Sequence, residues 1–560
     1  MSPRPSIGLT RRKGAVIGAV VVLAIAVAVG GYAFVQAQGA GGSLGPPTFV
    51  DETGSAGIDQ TYAGAATFAT GGGVAVFDCN GDGKPDMYMA GGTNPAVLYR
   101  NDSPIGGALH FTAVHDPVTD LTDVTGAYPI DIDGDGIPDL VTLRAGEDVV
   151  LRGLGGCRFE RANESWGIDG GNGLTFAFSA TWEGTNRFPT LAFGRNLTLR
   201  PDGRTTLDCD TSSLVRPDAS GTRYAAPIAL TPGYCPLSML FSDWSGTGQR
   251  DLRVANDREY YRAGVGQEQL WQIAPGEAPR LYTAGDGWKR LELNGMGIAT
   301  YDLTGDGHPD YFLTSQGDDK LQRLAGGPGR PTYQDVALSL GVTSARPAVG
   351  GDILPSSSWH PEFQDVNNDG FIDLLITKGN VNAQPEYATR DPSNLYLGRP
   401  DGTFVDVADA AGIIDYHRGR GAALADFNLD GQLDLVEMFY GAPAKIWRDV
   451  GTGSAEHPAT MGHWLAVRAT QPVSNTDAIG AWIEVRAGGK TFRRELTVGG
   501  GHAGGQLGWT HVGLGVASQP QVRVIWPDGT VGAWMPATAD SFLVVAKGAT
   551  AVTPWQPSTR

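Results

Sequence analysis

The chain has 560 residues and a formal net charge of −18, with 81 glycines, 35 prolines and only 18% charged residues. Its length exceeds what one core usually organises, and a glycine-rich, charge-poor composition suits many short strands joined by turns. No basic stripe follows residue 14, so a broad phosphate-binding surface is excluded and nucleic acid is not an expected partner.

The N-terminus carries Arg4, Arg11, Arg12 and Lys13 ahead of an uncharged run of Ala, Val, Ile and Gly over residues 14–35. That run is long enough to cross a hydrocarbon core of about 30 Å as a helix, and the preceding cations hold the N-terminus in the cytoplasm. We therefore expect a cytoplasmic basic segment at 1–13, a transmembrane anchor at 14–36 and a Gly/Pro linker at 37–47. The expected location is the cell membrane, single-pass, with the bulk outside. A signal sequence cleaved after Val35-Gln36-Ala37 is the alternative, and would give a secreted protein.

A nine-residue acidic loop then recurs. It reads "DCNGDGKPD" at 78–86, "DIDGDGIPD" at 131–139, "DWSGTGQRD" at 243–251, "DLTGDGHPD" at 302–310, "DVNNDGFID" at 365–373 and "DFNLDGQLD" at 426–434. The spacing is about sixty residues except for one doubled gap, where 174–194 keeps the flanking strand pattern and lacks the acids. Each loop follows a small-residue strand such as "GGGVAVFD" and precedes an apolar one such as "DLLIT". An aromatic strand and turn come later, as in "TFVDETGSAGI" and "TFVDVADAAGI". Seven such repeats of short strands predict an all-β chain, a seven-bladed β-propeller over 48–450. Thr48 to Ile58 matches the end of a repeat and is expected to complete the last blade.

After a linker at 451–459, apolar runs with strand spacing ("HWLAVRA", "AWIEVRAG", "QVRVIWP", "SFLVVA") predict a small all-β domain over 460–548, with 549–560 as a tail. The four cysteines permit three pairings; the short loop makes Cys209–Cys235 the first expectation, with Cys79–Cys157 following. Asn101, Asn163 and Asn196 each begin a glycosylation sequon.

In each acidic loop, oxygen-bearing side chains stand at positions one, three, five and nine, position seven offers a carbonyl, and a glycine at six permits the bend. Hard cations such as Ca²⁺ are held by this kind of alternating oxygen set. The expected ligands are Asp78, Asn80, Asp82, Lys84 and Asp86; Asp131, Asp133, Asp135, Ile137 and Asp139; and Asp302, Thr304, Asp306, His308 and Asp310. In the last two loops they are Asp365, Asn367, Asp369, Phe371 and Asp373, and Asp426, Asn428, Asp430, Gln432 and Asp434. Lys84, Ile137, His308, Phe371 and Gln432 enter through their carbonyls only. The fourth-blade loop offers Asp243, Ser245, Thr247 and Asp251 and is expected to bind weakly or not at all, giving about five calcium sites with a sixth doubtful. An ordinary acidic turn explains one such loop, but not six with the same oxygen spacing.

"GGGVAVFDCNGDGKPDMYMAGG" resembles the FG-GAP repeat of integrin α-subunit propellers. "NTDAIGAWIEVRAGGKTFRRE" and "GGGHAGGQLGWTHVGLG" are similar to the ASPIC/UnbV domain. Together they resemble the cartilage acidic protein (CRTAC) family, in which the loop acids are calcium ligands. With the apolar N-terminal run and no H-E-x-x-H motif in the chain, the expected function is a tethered, calcium-loaded extracellular scaffold that binds a protein or glycan. The alternative, by resemblance, is an accessory or catalytic protein of polyketide (enediyne-type) biosynthesis acting on an apolar small molecule. Trp359, Tyr387, Tyr416, Phe439 and Tyr440 could line such a pocket, or could simply pack the blades.

Overall fold

The computed structural model describes residues 43–200, 202–257, 266–344, 356–381 and 391–557. The basic segment, the expected anchor at 14–36 and the linker as far as residue 42 lie outside the described residues. No helix among the described residues is long and apolar enough to cross a membrane.

Seven four-stranded antiparallel blades form the propeller. Their innermost strands are Val74–Phe77, Val124–Ile130, Gly173–Thr181, Pro236–Ser242, Gly295–Tyr301, Ser358–Gln364 and Gly419–Ala425, almost wholly buried. The seventh blade takes its outer strand from the start of the fold. Phe49, Val50 and Asp51 pair with Asp449, Arg448 and Trp447, as the sequence predicts. This pairing closes the ring and hides two sheet edges.

Blades pack on one another through aromatic and branched side chains; Phe178 of the third blade meets Tyr128 of the second with ring centroids 5.5 Å apart, and is backed by its own cross-strand neighbour Phe193 at 5.2 Å. The turn after four of the outer strands is a single helical turn: Thr53–Ala56, Asn163–Trp166, Ala337–Leu340 and Ala408–Ala411. Each ends on a left-handed glycine (Gly57, Gly167, Gly341 and Gly412). The third blade keeps its strands, and in the connection between its first and second strands, where the other blades carry the acidic loop, Glu183 pairs with Arg216 at 2.7 Å.

Both expected disulfides are present, Cys79–Cys157 between the first two blades and Cys209–Cys235 within the third-blade excursion. The sequon asparagines are structural. Asn101, Asn163 and Asn196 are buried, and their side-chain amides donate to the carbonyls of Pro85, Asp148 and Cys235 respectively.

The C-terminal region forms two four-stranded sheets around Leu465, Val467, Ile483, Val485, Val522 and Val524. Within one sheet His463–Thr470 runs parallel to Ser541–Ala546. The stretch expected as a tail adds a strand, Thr553–Trp555, to that sheet's edge. The expected linker is a closed turn, with the amide of Ala459 donating to the Val450 carbonyl at 3.1 Å. The two regions form one compact unit, Leu44–Arg560.

Candidate metal centres

The six acidic loops join the first and second strands of their blades and therefore all open on one face of the ring. The backbone is the same in each. Position six is left-handed glycine throughout, at Gly83, Gly136, Gly248, Gly307, Gly370 and Gly431, with φ between 80° and 88°. Position four is left-handed as well, including Asn368 and Leu429 at φ 57°, a requirement the sequence pattern hides because only four of the loops place glycine there.

This curl turns amides towards the first aspartate. Asp131 accepts Gly134 and Gly136 amides at 2.9 Å each, Asp302 those of Asp306 and Gly307 at 3.1 and 2.9 Å, and Asp426 those of Asp430 and Gly431 at 2.9 and 2.8 Å. The fifth position accepts the amide of the seventh in five loops, Lys84 to Asp82, Ile137 to Asp135, His308 to Asp306, Phe371 to Asp369 and Gln432 to Asp430, at 2.8–3.0 Å. A carboxylate oxygen that accepts one amide keeps a second lone pair, so these bonds shape the loop and leave it able to coordinate.

The ninth-position aspartates are almost fully buried and do further structural work. One oxygen accepts the amide of loop position two and the other an amide on the third strand: Asp86 takes Cys79 and Asn101, Asp139 takes Ile132 and Gly153, Asp373 takes Val366 and Gly398, Asp434 takes Phe427 and Asp449. Asp310 accepts Leu303 at 3.1 Å and faces Arg323.

The second-blade loop brings carboxylate oxygens of Asp131, Asp133 and Asp139 within 4.8 Å of one another, while Arg152 bridges Asp133 and Asp135 at 2.7 and 3.0 Å. In the sixth and seventh blades Asn367 and Asn428 turn their amide groups to Asp369 and Asp430 at 3.2 and 3.0 Å. In the fourth blade, Ser245 and Thr247 bond each other at 2.7 Å. Asp251 there already accepts four donors, from Trp244, Gln249, Ile273 and Tyr282.

Burial, reinforced by neighbouring carboxylates, makes ionisation costly in this ring. It pushes Asp131 up to about 6 and Asp310 up to about 7. Asp86, Asp139, Asp365, Asp373, Asp426 and Asp434 rise well above the ordinary carboxylate range for the same reason. Asp449, which the repeat pattern passes over, is held up by burial together with Asp430 and Asp426. An all-oxygen set of acids that resist ionising unaided fits a hard divalent cation.

The C-terminal region covers this face and contacts all six loops. Trp509 donates to the Gly83 carbonyl at 3.0 Å, Thr476 donates to Asp131, Glu495 accepts the Asp243 amide at 3.0 Å, and Lys490 donates to the Gly370 carbonyl at 3.1 Å. Side chains of Arg493 and Trp464 lie where a Cβ on Gly307 or Gly431 would have to stand. A glycine-rich segment, Gly499 to Gln506, runs down the propeller axis. It forms bridges to the innermost strands of four blades, at Val76, Ala127, Leu240 and Ile298, and the preceding Val498 adds a fifth at Ala180. Cβ atoms on Gly73 and Gly126 would sit 1.8 and 1.9 Å from the Ala503 carbonyl oxygen, so the small residues of the lead-in strands make room for this segment.

Among the aromatics offered as pocket lining, Trp359, Phe439 and Tyr440 are buried in the ring, Tyr416 is exposed and Tyr387 lies outside the described residues. Trp359 instead packs on His502 of the axial segment, ring centroids 5.1 Å apart.

Residues 471–552 match the ASPIC and UnbV family, and residues 78–142 and 365–437 match the FG-GAP-like repeat. The chain is 37% identical over 123 residues to cartilage acidic protein 1 of Homo sapiens, covering 21% of this chain and 15% of that protein. It is 32% identical over 167 residues to the Mus musculus protein of the same name, covering 27% and 22%. Among solved structures, BBS1N in complex with ARL6DN is similar at 10% identity and TM-score 0.42, covering 73% of this chain and 99% of that one. The Dos1 propeller is similar at 10% identity and TM-score 0.34, covering 72% and 95%.

Proposed function

We propose that this chain, which is similar to cartilage acidic protein 1 and matches the FG-GAP-like repeat and the ASPIC and UnbV family, is an extracytoplasmic, adhesion-type scaffold whose acidic loops are loaded with calcium. The observation that carries the reading is the repeated loop: one backbone curl, one oxygen spacing and buried aspartates that ionise only at a cost, five times over. Asp78, Asn80, Asp82 and Asp86, and the matching positions of the second, fifth, sixth and seventh blades, would hold the ions. Calcium supplies charge neutralisation and rigidity there. The chain's own residues shape the loops, orient the carboxylates and exclude water from the ninth-position side chains. The fourth-blade loop, with Asp251 already saturated by donors, is satisfied without an ion.

Two disulfides suit an oxidising compartment outside the cytoplasm. Tethering rests on the apolar run at 14–35 alone. Because the C-terminal region covers the loop-bearing face, the broad surface left for a protein or glycan partner is the opposite one, from which the exposed Leu207 hairpin projects. Metal analysis of the purified ectodomain, with calorimetric calcium titration, tests the reading. About five calcium ions per chain are expected, and an intact protein that holds none overturns it.

A further inference from the structure

The contacts of the C-terminal region with the loops are aimed at a few particular positions. In the first, fifth, sixth and seventh blades they fall on the sixth-position glycine, whose left-handed backbone sets the loop's curl. Trp509 and Trp555 lie on Gly83, Arg493 on Gly307, Phe492 and Lys490 on Gly370, and Trp464 on Gly431. In the second blade the contact is with an expected ligand itself, Thr476 to Asp131. In the sixth, a Cβ on Gly513 would stand 2.0 Å from a carboxylate oxygen of Asp365, and His511 meets Asn368 at 2.6 Å. The apolar cluster of Trp464, Ala466, Phe542, Trp509 and Trp555 takes in Leu429, the left-handed fourth position of the last loop. A change in loop shape on losing an ion is therefore felt directly under the C-terminal sheets, which fit it to within an atom's width.

We infer that the loaded shape of the acidic loops is the docking template for the C-terminal domain, so that calcium binding and seating of the axial segment Gly499–Gln506 are one linked equilibrium. The inference rests on the calcium reading above and adds to it a consequence for residues that touch no ion. Trp464, Phe492, Arg493, Trp509, Trp555 and Thr476 act as positioning residues for the cation loops. Linkage is reciprocal: if calcium favours the seated domain, the seated domain raises calcium affinity by the same factor.

The test is hydrogen exchange on the full chain, with calcium and with chelator. It follows the amides of Gly500, Gly501 and Leu507, which donate to Met239, Ile298 and Val76 on the axis. Chelation is expected to cut their protection at least tenfold while the amides of the outer blade strands change less. In parallel, Trp464→Phe and Thr476→Val, neither touching an ion, are expected to weaken calcium binding about fivefold in calorimetry, the lower end of usual coupling between sites. Calcium that binds and is removed with unchanged axial protection overturns the inference and leaves the calcium reading standing. No calcium binding at all overturns both. Global loss of protection on chelation, in blades and axis alike, also counts against it, since the template then has no separate existence.

Discussion

Asp86 accepts the amide of Asn101 on one carboxylate oxygen at 2.7 Å, and so ties the end of an acidic loop to the third strand of its blade. The other oxygen holds the amide of Cys79 at the same distance. The ninth position therefore has a duty in the backbone that does not depend on any ion. Asp86→Asn is expected to destabilise the protein by about 2 kcal/mol even in chelator, because an amide nitrogen then faces a buried N–H group. Asp82→Asn, half-exposed in the same loop, should instead lower calcium affinity with little change in the chelated protein's stability. Urea denaturation of both variants, with and without calcium, separates the two roles.

Calcium removal should lower the melting temperature. A site at 1,000 times its dissociation constant contributes about 4 kcal/mol, and one filled at extracellular concentrations contributes less. Stoichiometry distinguishes the loops: Asp426→Asn should remove one ion per chain, whereas Asp243→Asn should remove none. Loss of an ion on altering Asp243 would show that the fourth loop binds after all.

The acid dependence has a definite sign. Burial holds Asp131 up to about 6 and Asp310 up to about 7, above the ordinary value of 3.8. The folded state then carries more protons than the unfolded one between about pH 4 and 7, and the associated stability is lost as pH rises through 6 to 7. In chelator the melting temperature should rise on acidifying from pH 7.5 to 5, and saturating calcium should flatten most of that slope. Asp148 and Asp319, pushed to about 7 by burial away from the loops, keep part of the slope whatever the calcium concentration. A chelated protein whose melting temperature falls steadily over the same range would contradict the buried-acid account.

The two disulfides should differ in worth. Cys79–Cys157 spans 78 residues and Cys209–Cys235 spans 26. On the chain-entropy account the longer closure stabilises by roughly 1 kcal/mol more. Paired serine replacements, compared by urea denaturation, check the order.

Much of the architecture was legible because the physics is local and repeated. The curl of each loop needs glycine and carboxylate acceptors at fixed offsets, so Gly83, Gly136, Gly307, Gly370 and Gly431 announce the blades. Phe49–Asp51 announces the closing strand by matching Phe404–Asp406. What was not legible depends on distance along the chain. Nothing in "GGGHAGGQ" itself marks an axial segment; only the bridges from Gly499, Gly501, Gly504 and Gln506 to four different blades reveal it. Asn101 looks like a glycan acceptor until its amide is seen bonded to the Pro85 and Phe427 carbonyls. The ninth aspartate looks like one more ligand, and its amide partners lie a strand away.

The closing strand also sets an order of events during synthesis. Phe49–Asp51 is made before every other blade strand and finds its partner only when Trp447 to Asp449 emerge, so the growing ring stays open, with an unsatisfied edge at each end, until its seventh blade is made. The segment that runs down the axis is made later still. A circularly permuted chain that begins at a blade boundary would remove that wait, and would show whether the native order protects the growing ring or merely endures its exposure.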